Sequence, residues 1–318
     1  MSVTAVARTA AVAALGAAAA AAVYGIAIER RAYRLRREVV PVLSPGADPI
    51  RILHLSDLHL APWQRDKVEW VRSLADLQPH LVVNTGDNMG HPDALEALTR
   101  ALTPLADVPG VFVHGSNDYF APSPKNPFAY LMGPSKGETA SATRIDIDGL
   151  EALLRDRLGW MPLNNAVGQL VINRSVLEFM GVNDAHRGWD RLDQLPEQVD
   201  ALRELDDDDT DDPAVMIGVT HAPYQRVLNT FTTQGADLIF AGHTHGGQVC
   251  VPGVGALVTN CDLPRDRARG LSVWQHAHKA AYVNVSAGLG TSIYAPVRFA
   301  CPPEAVLVTL VADDIGYS

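Results

Sequence analysis

The sequence predicts an α/β fold: one large domain with a short apolar appendage in front of it. Three observations lead there. From Arg51 onward, short apolar runs alternate with helix-periodic stretches in a β-α-β-α-β rhythm. Most of these runs end in a polar or glycine-rich cluster, where open α/β sheets place their sites. The 318 residues are 47% hydrophobic and 19% charged, which suits a globular protein with a sizeable core.

The appendage comes first. Ala10 to Ile28 carries no charged side chain and is mostly alanine, long enough to span a bilayer as a helix. Arg8 precedes it, and Arg30, Arg31, Arg34, Arg36 and Arg37 follow it. The positive-inside rule places the denser side, and with it the body, in the cytoplasm as a single-pass membrane protein. A cleaved signal would carry its charge mainly in front of the apolar run. The arginines also favour anionic lipid headgroups. Val40 to Pro49 reads as a Pro/Gly-bearing connector. The boundary is therefore set near Asp48, with residues 1–47 as apolar helix and basic linker and 48–318 as the domain.

Within the body, Arg51–Ser56, Leu81–Asn84 and Val111–His114 read as strands. Gln64–Leu77 and Pro92–Leu102 read as the helices between them. Phe120–Gly137 reads as a long loop with a short helix near 128–132, and its Lys125 and Lys136 are candidates to meet an anionic substrate. Thr143–Asp148 and Leu170–Val182 are expected as strands flanking a helix at Leu150–Leu158. The aspartate run 206–212 lacks the glycine and terminal glutamate of an EF-hand loop and reads as solvated. Val215–Thr220, Asp237–Phe240, Tyr282–Ser286 and Ala305–Val311 complete the strands, and Tyr224–Thr233 the helices.

The chemistry gathers at the strand ends: Asp57-Leu58-His59, Gly86-Asp87-Asn88, Gly115-Ser116-Asn117-Asp118, His221 and Gly242-His243-Thr244-His245-Gly246-Gly247. Carboxylate and imidazole are the ligands of Zn, Fe and Mn. In extended chain Asp57 and His59 project to one side, and the two oxygens of Asp87 can each serve a different cation. Asp184-Ala185-His186-Arg187 is another loop after a strand, with His186 and Arg187 as candidate substrate contacts. The formal charge of −10, with no basic stripe in the body, argues against a nucleic-acid polymer as partner. A metal site can still receive a phosphorylated substrate, because the ions supply positive charge. The three cysteines lack zinc-knuckle spacing and read as free thiols.

Taken in order, these fragments resemble the calcineurin-like metallophosphoesterases over about Arg51 to Leu310. The Gly242–Gln248 stretch, Gly288-Leu289-Gly290-Thr291-Ser292 and Pro296-Val297-Arg298-Phe299 are similar to a bacterial branch with membrane-associated phosphodiesterases. Some members of that branch hydrolyse the pyrophosphate of UDP-2,3-diacylglucosamine. The resemblance implies a four-layer α/β/β/α sandwich and two divalent ions (Mn, Fe or Zn). Asp57, His59 and His245 would hold the first ion, Asp87 would bridge, and His221 and His243 would hold the second with a side-chain carbonyl from the third motif. That motif departs from the family's Gly-Asn-His-Asp. Ungapped, Ser116 falls where the ligand asparagine belongs and Asn117 where the catalytic histidine belongs. The expectation is that Asn117 supplies the carbonyl, which leaves Asp87 and Asn117 as the catalytic pair and no imidazole to protonate a leaving group. His54 and His114 are weaker candidates for that proton. The implied function is hydrolysis of a phosphodiester or pyrophosphate bond in a phosphorylated small molecule or lipid-linked substrate. The alternative is a catalytically weak binding module of the same fold. Oligomeric state is not legible.

Overall fold

The computed structural model describes residues 3–123, 143–204 and 213–313. In chain order the elements are α1 (Val3–Val23), β1 (Arg34–Leu43), β2 (Ile50–Leu55), α2 (Arg65–Ser73), β3 (Leu81–Asn84), α3 (Leu95–Leu102), β4 (Gly110–Phe112) and α4 (Ser116–Tyr119). Then come α5 (Ile147–Glu151), β5 (Met161–Pro162), β6 (Ala166–Ile172), β7 (Ser175–Gly181), α6 (Leu195–Glu204), β8 (Val215–Val219), α7 (Gln225–Thr233) and β9 (Leu238–Ala241). The last are β10 (Cys250–Val251), β11 (Gly255–Ala256), β12 (Gly270–His276), β13 (Lys279–Val285) and β14 (Glu304–Ala312).

Two six-stranded sheets carry the domain, ordered β1-β14-β2-β3-β4-β5 and β12-β13-β9-β8-β7-β6. Neighbouring strands from β2 to β5 pair in parallel, as do β7, β8, β9 and β13. Their apolar runs are nearly continuous because both sheet faces are covered. Side chains alternate: Ile50 and Ile52 of β2 face Ile217 and Phe240 of the other sheet, while Leu53 and Leu55 face α2 and α3. On the far side, Met216 and Ile239 pack with Val227, Leu228 and Phe231 of α7 and Val199 of α6. Three apolar layers thus separate four layers of secondary structure, α/β/β/α, as expected.

The sheet begins earlier than the sequence suggests. Arg34–Leu43, read as basic linker and connector, is β1, an edge strand running parallel to β14 from Arg34↔Glu304 to Leu43↔Ala312. Its arginines hid it; only the edge position tolerates Pro41, which has no N–H to give to a ladder. The boundary near Asp48 therefore falls inside the sheet, between β1 and β2. Thr143–Asp148 is not a strand: Arg144 makes one isolated bridge to Phe120, and the helix starts at Ile147. Leu170–Val182 is instead the end of β6 and all of β7, joined by a two-residue turn at Asn173 (φ 48°) and Arg174 (φ 69°). Positive φ at both central residues makes the tight hairpin turn whose twist matches the strands. The strand expected at Tyr282–Ser286 is β13, which starts three residues earlier at Lys279 and pairs antiparallel with β12, a strand the sequence pattern does not announce. Lys125, Lys136, the helix near 128–132 and the aspartate run 206–212 lie outside the described residues.

In front of the sandwich, α1 continues through one π-helical and one 3-10 turn to Arg31. Ala10–Arg31 is long and apolar enough to cross a membrane, and only Gly25 and Glu29 within it are buried.

Candidate metal centre

The loops that follow β2, β3, β4, β8 and β9 meet at one end of the two sheets, and each carries one fragment of the sequence pattern. Asp57 N–H donates to Gly86 O and His59 N–H to Asp87 O, both at 2.9 Å, which ties the first loop to the second. Asp57, His59, Asp87, His243 and His245 all hold φ between 38° and 66°. Left-handed backbone is costly for such residues and persists where surrounding structure enforces it, as at functional sites. So Asp57 and His59 do converge, through this turn of the chain rather than through the strand alternation expected from sequence.

Two groups of ligand atoms result: Asp57, His59 and His245, and Asp57, Asp87 and His221. His59 Nε2 lies 3.9 Å and His245 Nε2 lies 3.7 Å from Asp57 Oδ1. Asp87 Oδ2 lies 3.4 Å from His59 Nε2 and 3.5 Å from His221 Nε2, so a single oxygen stands between the two groups. His243 Nδ1 is 3.3 Å from His221 Nε2. Two ligand atoms each about 2.1 Å from one cation at the tetrahedral angle stand about 3.4 Å apart, so these spacings fit cation binding. The unsatisfied atoms fit too. Asp57 Oδ2 accepts from Ser56 Oγ and His243 N–H, whereas buried Asp57 Oδ1, both ring nitrogens of His59 and Nδ1 of His245 have no hydrogen-bond partner. Buried polar atoms left this way are costly unless a ligand satisfies them.

Outer contacts select the ring nitrogens. His221 Nδ1 lies 2.8 Å from Thr85 O and donates there, leaving Nε2 for a cation. His243 Nε2 lies 3.1 Å from Asn260 O, leaving Nδ1. Electrostatics follow the crowding. Burial opposes charge on His221, but Asp87, Asp57, Asp184 and the Thr85 carbonyl outweigh it and push its pKa up to about 9. Burial also opposes ionisation of Asp87, yet His221, His59 and the two Asn117 donors hold it below the usual carboxylate range. Asp57 is raised by burial, which exceeds the pull of His221. His243 and His245 are held well below the ordinary imidazole value, first by burial and then by neighbouring histidines.

Asn117 lies at the centre but in a different pose from the expected one. Its backbone N–H and its side-chain Nδ2 donate to Asp87 Oδ1 and Oδ2 at 2.8 and 2.7 Å. The side-chain nitrogen, rather than the carbonyl, faces the ligands; half a turn of the amide exchanges the two. Asn117 rather than Ser116 makes the contacts with Asp87. Gly115 is obligatory, because a Cβ there would run into the Asp87 carboxylate and stand 2.8 Å from His221 Cε1.

His186 stands beside the second group, its ring 4.6 Å from that of His243 and its Nδ1 3.0 Å from Tyr224 Oη. Arg187 turns toward the Phe120 ring, 6.0 Å away, with Nε and Nη1 buried and without hydrogen-bond partners. His54 and His114 are not at the mouth. His54 is buried between Thr85 Oγ1 (3.0 Å) and Asn284 Nδ2 (2.9 Å), and burial drives its pKa down to about 3. His114 is buried beside Asp118 and Glu151.

Three contributors were not picked out from sequence. Asp118 is fully buried and accepts the N–H groups of Asp87 (2.9 Å), Asn88 (2.7 Å) and Gly115 (3.1 Å), clamping the loop that carries Asp87. Asp184, next to the chosen His186, is buried with Oδ2 unpaired, and burial raises its pKa to about 6. Arg298 is fully buried and donates to the carbonyls of Ala287 (2.7 Å), Gly288 (3.0 Å) and Gly290 (2.7 Å), the loop against which Asp57 packs. Asp118 and Arg298 both stood within the quoted motifs; what the sequence lacks is any sign that their charge is turned inward.

Two facing mixed sheets, helices outside them and two abutting cation-binding groups at the strand ends define a metallophosphoesterase, a class of metal-binding hydrolases. The chain belongs to the calcineurin-like phosphoesterase family, whose model matches residues 50–247. Similar proteins extend across most of it. A metallophosphoesterase of Aquifex aeolicus (strain VF5), described as uncharacterized, is 26% identical over 270 residues, covering 84% of this chain and 87% of that one. The protein YpbG of Bacillus subtilis (strain 168) is 28% identical over 273 residues, covering 85% and 84%. A Bos taurus transmembrane protein with metallophosphoesterase domain is 27% identical over 233 residues, 70% of this chain and 46% of that one.

Proposed function

We propose that this protein is a membrane-tethered phosphoesterase that cleaves a phosphodiester or pyrophosphate bond with water, using two divalent cations, its body on the cytoplasmic side. The observation that carries the reading is the place of Asp87 Oδ2, between His59 and His221, beside the unpartnered Asp57 Oδ1. Asp57, His59 and His245 would hold one cation. His221, His243 and Asn117 would hold the other, with Asp87 shared. When bound, the pair lowers the pKa of water and neutralises charge on the attacked phosphate; Mn, Fe and Zn all suit these ligands.

The chain's own groups do the rest. Asp118 keeps the Asp87 loop in register through the backbone N–H groups of Asp87, Asn88, Met89 and Gly115. His186, braced by Tyr224, stands where it can donate to a phosphate oxygen or a substrate substituent. Arg187 is the neighbouring cation for a second anionic group. Asn117 cannot donate a proton to a departing oxygen, so leaving groups that are stable as anions are favoured: a phosphate, a nucleotide or an aryl oxide. The binding-module reading is weakened by the full convergence of Asp57, His59, Asp87, His221 and His245, which a scaffold does not need.

Membrane attachment draws support from the apolar Ala10–Arg31 helix with its arginines, and from a relative named as a transmembrane protein. The test is a substrate panel with Mn added. Turnover of an aryl phosphodiester or a pyrophosphate-linked lipid should exceed that of glycerol phosphate at least tenfold. Equal rates would refute the leaving-group argument.

A further inference from the structure

The foot of the apolar helix is bolted to the body. Arg298 N–H donates to Gly25 O at 3.2 Å, and a Cβ on Gly25 would meet Val297 Cγ2 at 3.1 Å. The Glu29 carboxylate accepts the N–H groups of Ala300 and Cys301 at 3.0 and 2.7 Å. If the helix spans a bilayer, this attachment sets the height of the body against it, and residues 24–36 lie at headgroup level.

At that level opens a cavity of about 680 Å³, between the helix foot, the start of β1 and the loop before β14. Leu35, Phe299 and Pro302 give it an apolar side, and exposed Tyr24 meets the Phe299 ring edge-on at 6.2 Å. Its charges do not cancel locally. Glu29 is spent on the two backbone N–H groups. Glu304 is spent on Arg36 Nε and Nη2 (3.1 Å each) and on Ala287 N–H. The remaining wall arginines, Arg34 and Arg269, are exposed, and among the described residues neither has a carboxylate within 4.0 Å. Arg269 Nη1 lies 3.9 Å from Cys301 Sγ.

We propose that this cavity seats the headgroup of an anionic glycerophospholipid. Arg34 and Arg269 would receive the phosphate oxygens, and Leu35, Phe299 and Pro302 the glycerol and first methylenes. Two guanidinium groups facing one space suit a phosphate, to which arginine donates paired N–H groups. The apolar wall suits a phosphate ester rather than the free ion. The seat also reaches the metal centre. The stem of Arg269 packs on Gly246, with Cδ 3.2 Å from where a Cβ would stand, so a seated headgroup braces the loop that carries His245. The inference rests on the membrane-tethered reading above.

The test uses the full chain in nanodiscs of phosphatidylcholine with phosphatidylglycerol added, released into neutral detergent for native mass spectrometry. One phosphatidylglycerol per wild-type chain is expected. Arg34→Gln with Arg269→Gln should weaken its retention about 20-fold, while Arg31→Gln with Arg37→Gln, the same charge change at exposed positions outside the cavity, should weaken it less than about twofold. Arg34→Gln alone, at an exposed position of the edge strand whose pairing with β14 is made by backbone, should give about a fivefold loss. Equal loss in both double variants, or no retained lipid, overturns the proposal. Soluble glycerol phosphate, titrated onto the phosphatidylcholine-only sample, should not bind; binding as tight as the lipid's would assign the seat to a soluble ester and overturn the lipid assignment. Flotation with phosphatidylcholine vesicles reports the tether separately. A chain that floats but retains no anionic lipid fails this inference alone, and one that does not float fails the tethered reading.

Discussion

Removing the Asp118 carboxylate should loosen the metal centre from behind while leaving every proposed ligand side chain in the sequence. Asp118 is fully buried, and its oxygens take the N–H groups of Asn88, Asp87 and Gly115 at 2.7, 2.9 and 3.1 Å. In Asp118→Ala these three close donors lose their acceptor, as do Met89 N–H and Asn88 Nδ2, each at 3.4 Å. A buried donor left unsatisfied costs about 1–3 kcal/mol, so three give about 3–9 kcal/mol. Water entering the space freed by the carboxyl group recovers part of that, leaving about 3–5 kcal/mol. The assay is urea unfolding of the full chain in neutral detergent after chelation, with exposed Asp76→Ala as control. A loss of that size lowers the urea midpoint by roughly 1–2 M. Because Asp87 rides on the clamped loop, metal affinity should fall as well. A midpoint for Asp118→Ala within about 0.2 M of wild type would refute the clamp.

Gly115→Ala should cut hydrolysis at least 100-fold, because its Cβ would displace the Asp87 carboxylate and His221; it should cost stability by only about 1–3 kcal/mol, which separates the two effects in paired activity and unfolding assays. Asn117→His should restore a proton donor beside Asp87 and raise turnover of alkyl esters about tenfold or more relative to aryl esters; an unchanged ratio would count against Asn117 as the reason for leaving-group selectivity. His54 gives a pH test. Burial lowers its folded pKa to about 3 against 6.5 for the free side chain, so between those values the unfolded chain binds a proton that the folded chain refuses. Stability from this group is therefore lost as pH falls below 6.5, by about 2–3 kcal/mol from pH 7 to pH 4.5. Asp184, raised to about 6 from 3.8, acts in the opposite sense over its own window, so the readout is the difference between wild type and His54→Gln. The variant's pH 4.5 penalty should be smaller by that amount.

The strands that build the floor of the site were legible because they are buried on both faces: Ile50–Leu55, Leu81–Asn84, Val215–Val219 and Leu238–Ala241 are apolar runs that need no partner to be recognised. Edge strands were not. Arg34–Leu43 is half-exposed and charged, and its strand character comes from pairing with β14, some 270 residues away in the chain. The turn at Asn173 and Arg174 carries no glycine, so the hairpin looked like one strand. Within the site, residue types at strand ends identified the candidate ligands. The sequence could not show that the chain bends left-handed at five of them, nor that Asn117 turns its nitrogen toward Asp87. Both depend on contacts between loops that only the assembled sandwich brings together.

Metal content of the purified full chain is the most direct measurement. The account predicts about two divalent ions per chain in wild type, and a drop to one or fewer, with turnover lost, in Asp87→Asn, because a single Asp87 oxygen lies between the two groups. Wild-type protein that hydrolyses phosphodiesters with no bound metal, or an Asp87→Asn variant that keeps both ions and full turnover, would contradict it.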